Sequence, residues 1–259
     1  MREFLQDVHA HMDDGFGRAQ VHTKTPLRKR FYKVVTVAPC DEGYCIHLDG
    51  RPTKTPGHKP VAVPDKELAH LLAAEWEAQR EDIDPGTMPL VRLVNSAVEG
   101  GHEVAEDLRE EVIKFAGNDL LLFRAQSPRE LVALQGEIWD GALAKVERHF
   151  DVRFEPVTGI VHKNQPEATL VPLKKDLADI HFIALTALVS ITGLTGSGIL
   201  AIALRRGLIE PEAVWDIAHL DETYNAKNWG EDGEAVPRLQ KRRVEFDAAV
   251  VVLRMLDKS

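Results

Sequence analysis

Phe182-Ile-Ala-Leu-Thr-Ala-Leu-Val-Ser-Ile-Thr-Gly-Leu-Thr-Gly-Ser-Gly-Ile-Leu-Ala-Ile-Ala-Leu204 runs for 23 residues without a charge. That is long enough for one bilayer-spanning helix. Its middle, Thr192-Gly-Leu-Thr-Gly-Ser-Gly198, puts three glycines and three hydroxyl residues into seven positions. Glycine loosens the backbone and hydroxyls compete for its hydrogen bonds, so the heptapeptide favours a break over a continuous helix. The expectation is two buried apolar helices, 175–191 and 199–206, joined by a tight turn in a helical core, and no membrane span.

Helical signals surround this pair. Segments 211–228 and 237–256 follow it. Ser127-Pro-Arg-Glu130 has a hydroxyl cap, a proline in the first turn and a carboxylate at the third position. The stripe Leu131, Leu134, Ile138, Val146, Phe150 follows. Val104, Leu108, Val112 and Phe115 mark another helix, with Glu103, Glu106, Glu110 and Glu111 on its other face. Asp65 caps one more, bearing Leu68, Leu71, Leu72 and Trp76. Residues 119–125 read as a strand or extended link, and 152–157 also have strand texture.

From Phe31 to Val63 the texture is β. Phe31-Tyr-Lys-Val-Val-Thr-Val37 is aromatic and β-branched, Tyr44, Ile46 and Leu48 alternate with Cys45 and His47, and Asp49-Gly50 offers a type I′ turn. Pro52, Pro56, Pro60 and Pro64 keep later strands short or at an edge. Residues 1–30 are polar and read as an arm with one short helix over 2–11. The fold class is therefore α+β: an N-terminal α+β domain over 1–100 with a small antiparallel sheet, then an all-α helical domain over 101–259, jointed at Gly100-Gly101.

With 44% hydrophobic and 28% charged residues the chain has the profile of a soluble globular protein, and a net charge of −9 argues against gripping nucleic acid or an anionic membrane. The first residues lack the apolar core of a secretory signal, and Glu3, Asp7, Asp13 and Asp14 are wrong for a transit peptide, so a reducing cytoplasm is the expectation. There Cys40 and Cys45 face each other if Glu42-Gly43 is a two-residue hairpin loop, a close approach that permits a bridge, and a reducing compartment favours two packed thiols over it.

His9-x-His11 has a metal-binding spacing but no second set of ligands downstream, so no metal and no cofactor is assigned. No Gly-x-Ser-x-Gly occurs, and no catalytic residue is assigned. Gly193-Leu-Thr-Gly-Ser-Gly198 before an apolar helix is the most enzyme-like motif, because backbone amides at a helix N-terminus can cradle a phosphorylated ligand. It lacks the Gly-Lys-Ser/Thr ending of a P-loop and a preceding strand, which favours a tight turn between packed helices. In His219-Leu-Asp-Glu-Thr-Tyr-Asn-Ala-Lys-Asn-Trp-Gly230, Glu222, Asn225 and Trp229 fall at i, i+3 and i+7. Such a stripe either anchors a partner or ends a helix, with Trp229 covering the core and Glu222 merely solvated.

An ordered series of motifs resembles the assembly chaperones of the F1-ATPase alpha subunit. It comprises Lys29-Arg-Phe-Tyr-Lys33, Leu48-Asp-Gly-Arg-Pro52, Lys54-Thr-Pro56, Glu75-Trp76 with Gln79, and Met88-Pro-Leu90 with Leu93 and Ala97. Asp119-Leu-Leu121, Phe123-Arg-Ala125, Glu222 and Trp229-Gly230 complete it. Asn225 stands where the family usually has glutamine, and Glu231-Asp-Gly-Glu-Ala-Val-Pro237 departs from the family's continuation. The resemblance implies an α+β domain followed by a helical one, and a non-enzymatic chaperone that transiently binds unassembled alpha subunit until beta replaces it. It also implies a bacterial cytoplasmic member of a family whose eukaryotic relatives work in the mitochondrial matrix. Glu222, Asn225 and Trp229 are then the expected partner-binding residues of a monomeric protein.

Overall fold

The computed structural model describes residues 27–159, 163–230, 233 and 235–257, which divide into two compact units, 27–103 and 104–257. The first contains β1 (Arg28–Lys29), β2 (Val35–Cys40), β3 (Gly43–Leu48), β4 (Arg51–Pro52), β5 (Ala62–Val63), α1 (Lys66–Glu77), β6 (Asp82–Ile83) and α2 (Pro89–Gly100). Strand β3 is the hub, pairing antiparallel with β2, β4 and β5. Asp49 and Gly50 both have positive φ, 49° and 78°, between the paired Leu48 and Arg51, as a type I′ turn requires. The prolines act as expected: after β4 only a Lys54–Pro60 bridge and the two-residue β5 continue the sheet. Asp65 caps α1 by accepting from Leu68 N at 3.0 Å, and Leu68 and Leu72 are buried.

Three sequence expectations change in this unit. Residues 28–30 are not part of an arm: β1 pairs with β6, and the Arg30 guanidinium donates to the carbonyls of Glu77 and Gln79. Residues 1–26 of the expected arm, with its short helix and His9 and His11, lie outside the described residues. The hairpin loop is Asp41-Glu42 rather than Glu42-Gly43, because Cys40 pairs with Gly43 and Cys45 with Ala38. Gly43 has φ +120°, and a Cβ there would stand 2.4 Å from Val63 O, so β3 needs glycine where β5 passes. Cys40 and Cys45 thus lie diagonally with Cα atoms 6.1 Å apart, and they are joined as a disulfide rather than held as thiols. Helix α2 was not anticipated, although Pro89 in its first turn is a start signal.

The second unit contains α3 (Ala105–Gly117), β7 (Phe123–Arg124), α4 (Arg129–Phe150), β8 (Val157–Thr158), α5 (Glu167–Asp176), α6 (Phe182–Thr195), α7 (Gly198–Arg205), α8 (Pro211–Ala218), α9 (Leu220–Trp229) and α10 (Ala235–Leu256). The uncharged run is α6 and α7 with a turn at Gly196-Ser197. Helix α6 is apolar all round and is packed by α3, α7 and α10, which bury nearly every side chain it has. Its hydroxyls are internal: Thr192 and Thr195 donate to Leu188 O and Ile191 O one turn back. No described helix is long and apolar enough to cross a membrane.

The expected helix 175–191 is two helices, since α5 ends at Asp176 and His181 restarts the chain by capping Ile183 N with its ring. Ser127 does not cap α4; the helix begins at Arg129, leaving Ser127 one residue too far upstream. The stripe α4 buries is Leu131, Gln135, Trp139, Ala142, Leu143 and Val146, shifted from the apolar reading by the polar Gln135. The strand-like segments 119–125 and 152–157 reduce to the two-residue parallel ladder of β7 with β8.

Candidate functional site

The amides at the start of α7, which could have cradled a phosphate, are already used. Asp119 is fully buried; its Oδ2 accepts from Ile199 N at 2.9 Å and its Oδ1 from Leu121 N at 3.1 Å. Burial lifts this carboxyl to about 7 against the hydrogen bonds from Ile199, Ser197, Leu121 and Gly198 that favour its charge. The acceptor that the first amides of a helix need is thus supplied by the chain itself. Gly198 also abuts α3: a Cβ there would stand 2.3 Å from Val112 O. The turn at 196–198 is a helix–helix junction, and no cradle is open at it.

The stripe expected to meet a partner has the opposite character. Segment 211–228 is not one helix: it breaks at His219, whose ring nitrogen lies 2.8 Å from Trp215 O and whose ring stacks on Trp215 at 4.0 Å. Burial lowers the His219 pKa, favouring the neutral ring. Helix α9 restarts at Leu220, its one buried residue. Asp221 then accepts from Gln135 Nε2 at 2.8 Å, while Gln135 Oε1 takes the Ala125 N–H at 2.8 Å. The Arg124 guanidinium bonds Gln135 O and Asp140, and Trp139 Nε1 donates to Ile217 O at 3.0 Å. Thus α4 fixes the base of α9, and Phe123-Arg-Ala125 fixes α4.

Above that base Glu222, Asn225 and Trp229 are all exposed, Trp229 at 73%. Trp229 does not cover the core; it meets only the Tyr224 ring edge-on at 6.3 Å among the described ring contacts. Gly230, at φ +91°, closes the helix by donating to Ala226 O. Sequence reasoning found the stripe and left open whether Trp229 covers the core, and it missed Gln135 and Asp221, which hold the helix; the one available signal was a lone glutamine inside an apolar stripe.

Several other motif residues are fasteners too. Glu75 takes the first amides of α2, Leu90 N and Val91 N, at 2.9 and 2.8 Å, and its pKa is raised by burial. Gln79 bonds Glu75 O, Thr87 Oγ1 and Asp84 N, and Tyr32 donates to Trp76 O. Asp49 accepts from Lys33 N and Val34 N, which lower its pKa. Among the described residues no group of three or more His, Cys, Asp and Glu could hold a metal.

Residues 29–147 match the family model described as ATP12 chaperone protein. The chain is 25% identical over 217 residues to the mitochondrial protein atp12 of Schizosaccharomyces pombe, covering 79% of this chain and 75% of that one. A crystal structure of an Agrobacterium tumefaciens protein is similar at 41% identity and TM-score 0.86, over 99% of this chain and 97% of that one. Paracoccus denitrificans Atp12 is similar at 31% identity and TM-score 0.82, over 88% of this chain and 98% of that one. Similarity of sequence and fold over nearly the whole length, with several motif residues forming internal fasteners in both units, establishes that the chain belongs to the ATP12 chaperone family.

Proposed function

We propose that this chain, as a chaperone of ATP synthase assembly, binds the unassembled F1-ATPase alpha subunit through the exposed face of α9. The observation that carries this reading is Trp229, 73% exposed on a helix whose base is fixed by Asp221. Large exposed aromatics on rigid supports are the residues that dominate protein interfaces. Glu222 lies on the same face and supplies a charge to orient the partner; Asn225 supplies a donor and an acceptor.

An alpha subunit awaiting beta exposes apolar surface that would otherwise self-associate. The chaperone shields that surface as a monomer in the bacterial cytoplasm. It catalyses no reaction, and beta releases it by competition. The test is titration of purified alpha subunit into the chaperone, followed by addition of beta. A saturable one-to-one complex that beta dissolves supports the reading. No complex, or equal protection of unrelated unfolded proteins, overturns it. The enzymatic alternative, a phosphorylated ligand at Gly193–Gly198, predicts a raised melting temperature with phosphates; with Asp119 in place, none is expected.

A further inference from the structure

Seven serine and threonine side chains are buried among the described residues. Six of them bond protein atoms. Four threonines donate to backbone carbonyls, Thr55 Oγ1 accepts from Lys59 N at 3.1 Å, and Ser197 Oγ accepts from Leu200 N at 2.9 Å. The seventh is Thr53, 6% exposed, whose Oγ1 meets no protein donor or acceptor. Its backbone is fully used: Thr53 N donates to Ile46 O at 2.8 Å, and Thr53 O accepts from Val61 N at 3.1 Å. The residue is therefore fixed in place, with its hydroxyl out of bulk water and unbonded, a condition that costs more than an ordinary hydrogen bond gains. A cavity lies beside it, between the sheet and the two helices of the first unit. Thr53 and Asn95 line it together with Ile46, Val61, Leu72 and Val94. The Asn95 carboxamide, one residue beyond the buried Val94 on α2, likewise has no protein partner among the described residues.

We infer that this cavity is a hydration site, holding one water that bridges Thr53 Oγ1 and the Asn95 carboxamide. Size selects the ligand. The space open to a water is about 10 Å³, and one water needs about 10–15 Å³, so an organic group does not fit. None of the lining residues carries a charge, so nothing there holds an ion. An apolar occupant would leave both polar groups unbonded. Water alone can donate to one and accept from the other, and such a bridge is nearly as favourable as a direct hydrogen bond. The bridge joins the chain after β4 to the middle of α2, two segments that no direct side-chain bond from Thr53 connects. The inference stands apart from the client reading and goes beyond it.

The test uses the full chain and the variants Thr53→Val, Asn95→Leu and their combination. Valine keeps the shape of threonine and removes the hydroxyl, so the sign of its effect decides. A bridged hydroxyl is missed: Thr53→Val should lower the melting temperature by about 2–4 °C, as expected for one lost buried hydrogen bond in a chain of this size. A dry hydroxyl is better removed, so a Thr53→Val protein as stable as the wild type, or more stable, overturns the inference. Either single substitution breaks the bridge, so the double variant should lose less than the sum of the two. Strictly additive losses overturn it. Nuclear Overhauser effects between water and the amide protons around Thr53 and Asn95 are measured in the wild type, so a variant that fails to fold does not stop the test. The expected result is a long-lived water at those amides that disappears in Thr53→Val and persists in Thr53→Ser. No such water in the wild type, or one that survives unchanged in Thr53→Val, overturns the inference.

Discussion

Gln135 and Asp221, separated by 86 positions, meet through one hydrogen bond of 2.8 Å that ties the first turn of α9 to the buried face of α4. Asp221 is spent on the scaffold, and its neighbour Glu222 is exposed. Two adjacent carboxylates therefore have separable roles, and substitutions can tell them apart.

Gln135→Leu fills the same space but leaves the Ala125 N–H without its acceptor and Asp221 without its donor. A buried unsatisfied group costs about 1–3 kcal/mol. Urea unfolding should show a loss of that order, with faster hydrogen exchange across α9. Unchanged exchange there would mean that Leu220 alone holds the helix.

Glu222→Lys should leave the melting temperature unchanged, because the side chain is exposed. Affinity for alpha subunit should fall: breaking one desolvated charge pair costs about 2–5 kcal/mol, at least about thirtyfold. Melting and affinity are measured on one preparation. A stable variant that binds like the wild type would contradict the assignment.

Gly196 and Gly198 are required for different reasons, and alanine separates them. Gly196 has φ +68° and open space around its Cβ position, so Gly196→Ala carries only left-handed strain, about 1 kcal/mol. At Gly198 the added methyl meets backbone of α3, and the helices must move apart. Overpacking of this kind typically costs about 1–3 kcal/mol and occasionally more. Thermal melts should rank Gly198→Ala well below Gly196→Ala. Alpha binding per folded molecule should be unchanged in both.

Asp119 predicts a pH dependence with a definite sign. Its carboxyl is raised in the fold to about 7 from an ordinary 3.8, so the native state holds a proton that the unfolded chain releases. The resulting stability is complete below about pH 4 and is lost as pH climbs toward 7, by at most about 1.4 kcal/mol per unit. Asp119→Asn cannot titrate, and it replaces one acceptor with a donor aimed at a backbone N–H. The gap in stability between wild type and variant should be widest near pH 4 and narrow toward pH 7. A gap that widens instead would show that the hydrogen bonds from Ile199 and Leu121 outweigh burial.

What could be read from the sequence was local. Asp49-Gly50, the Asp65 cap and the break at Gly196-Ser197 depend on near neighbours, so residue types alone placed them. The stripe of Glu222, Asn225 and Trp229 was legible as a helical spacing, and its exposure matches the absence of core residues on that face. What was not legible depends on distant chain. Glu75 makes α2 possible by capping it from 15 positions upstream. Asp119 closes α7 across 80 positions, and no periodicity records either pairing. Gln135 looked like an interruption of the α4 stripe because its partners, Ala125 and Asp221, lie on other elements.

The fasteners and the exposed face share almost no side chains: Glu75, Gln79, Asp119 and Gln135 work inward, while Glu222, Asn225 and Trp229 contribute little to cohesion. Such a division makes the protein easy to retarget by evolution. If these three positions carry recognition, as proposed, substitutions there would change which surface is recognised at little thermodynamic penalty, so a gene duplicate could acquire a new client while keeping every internal tie.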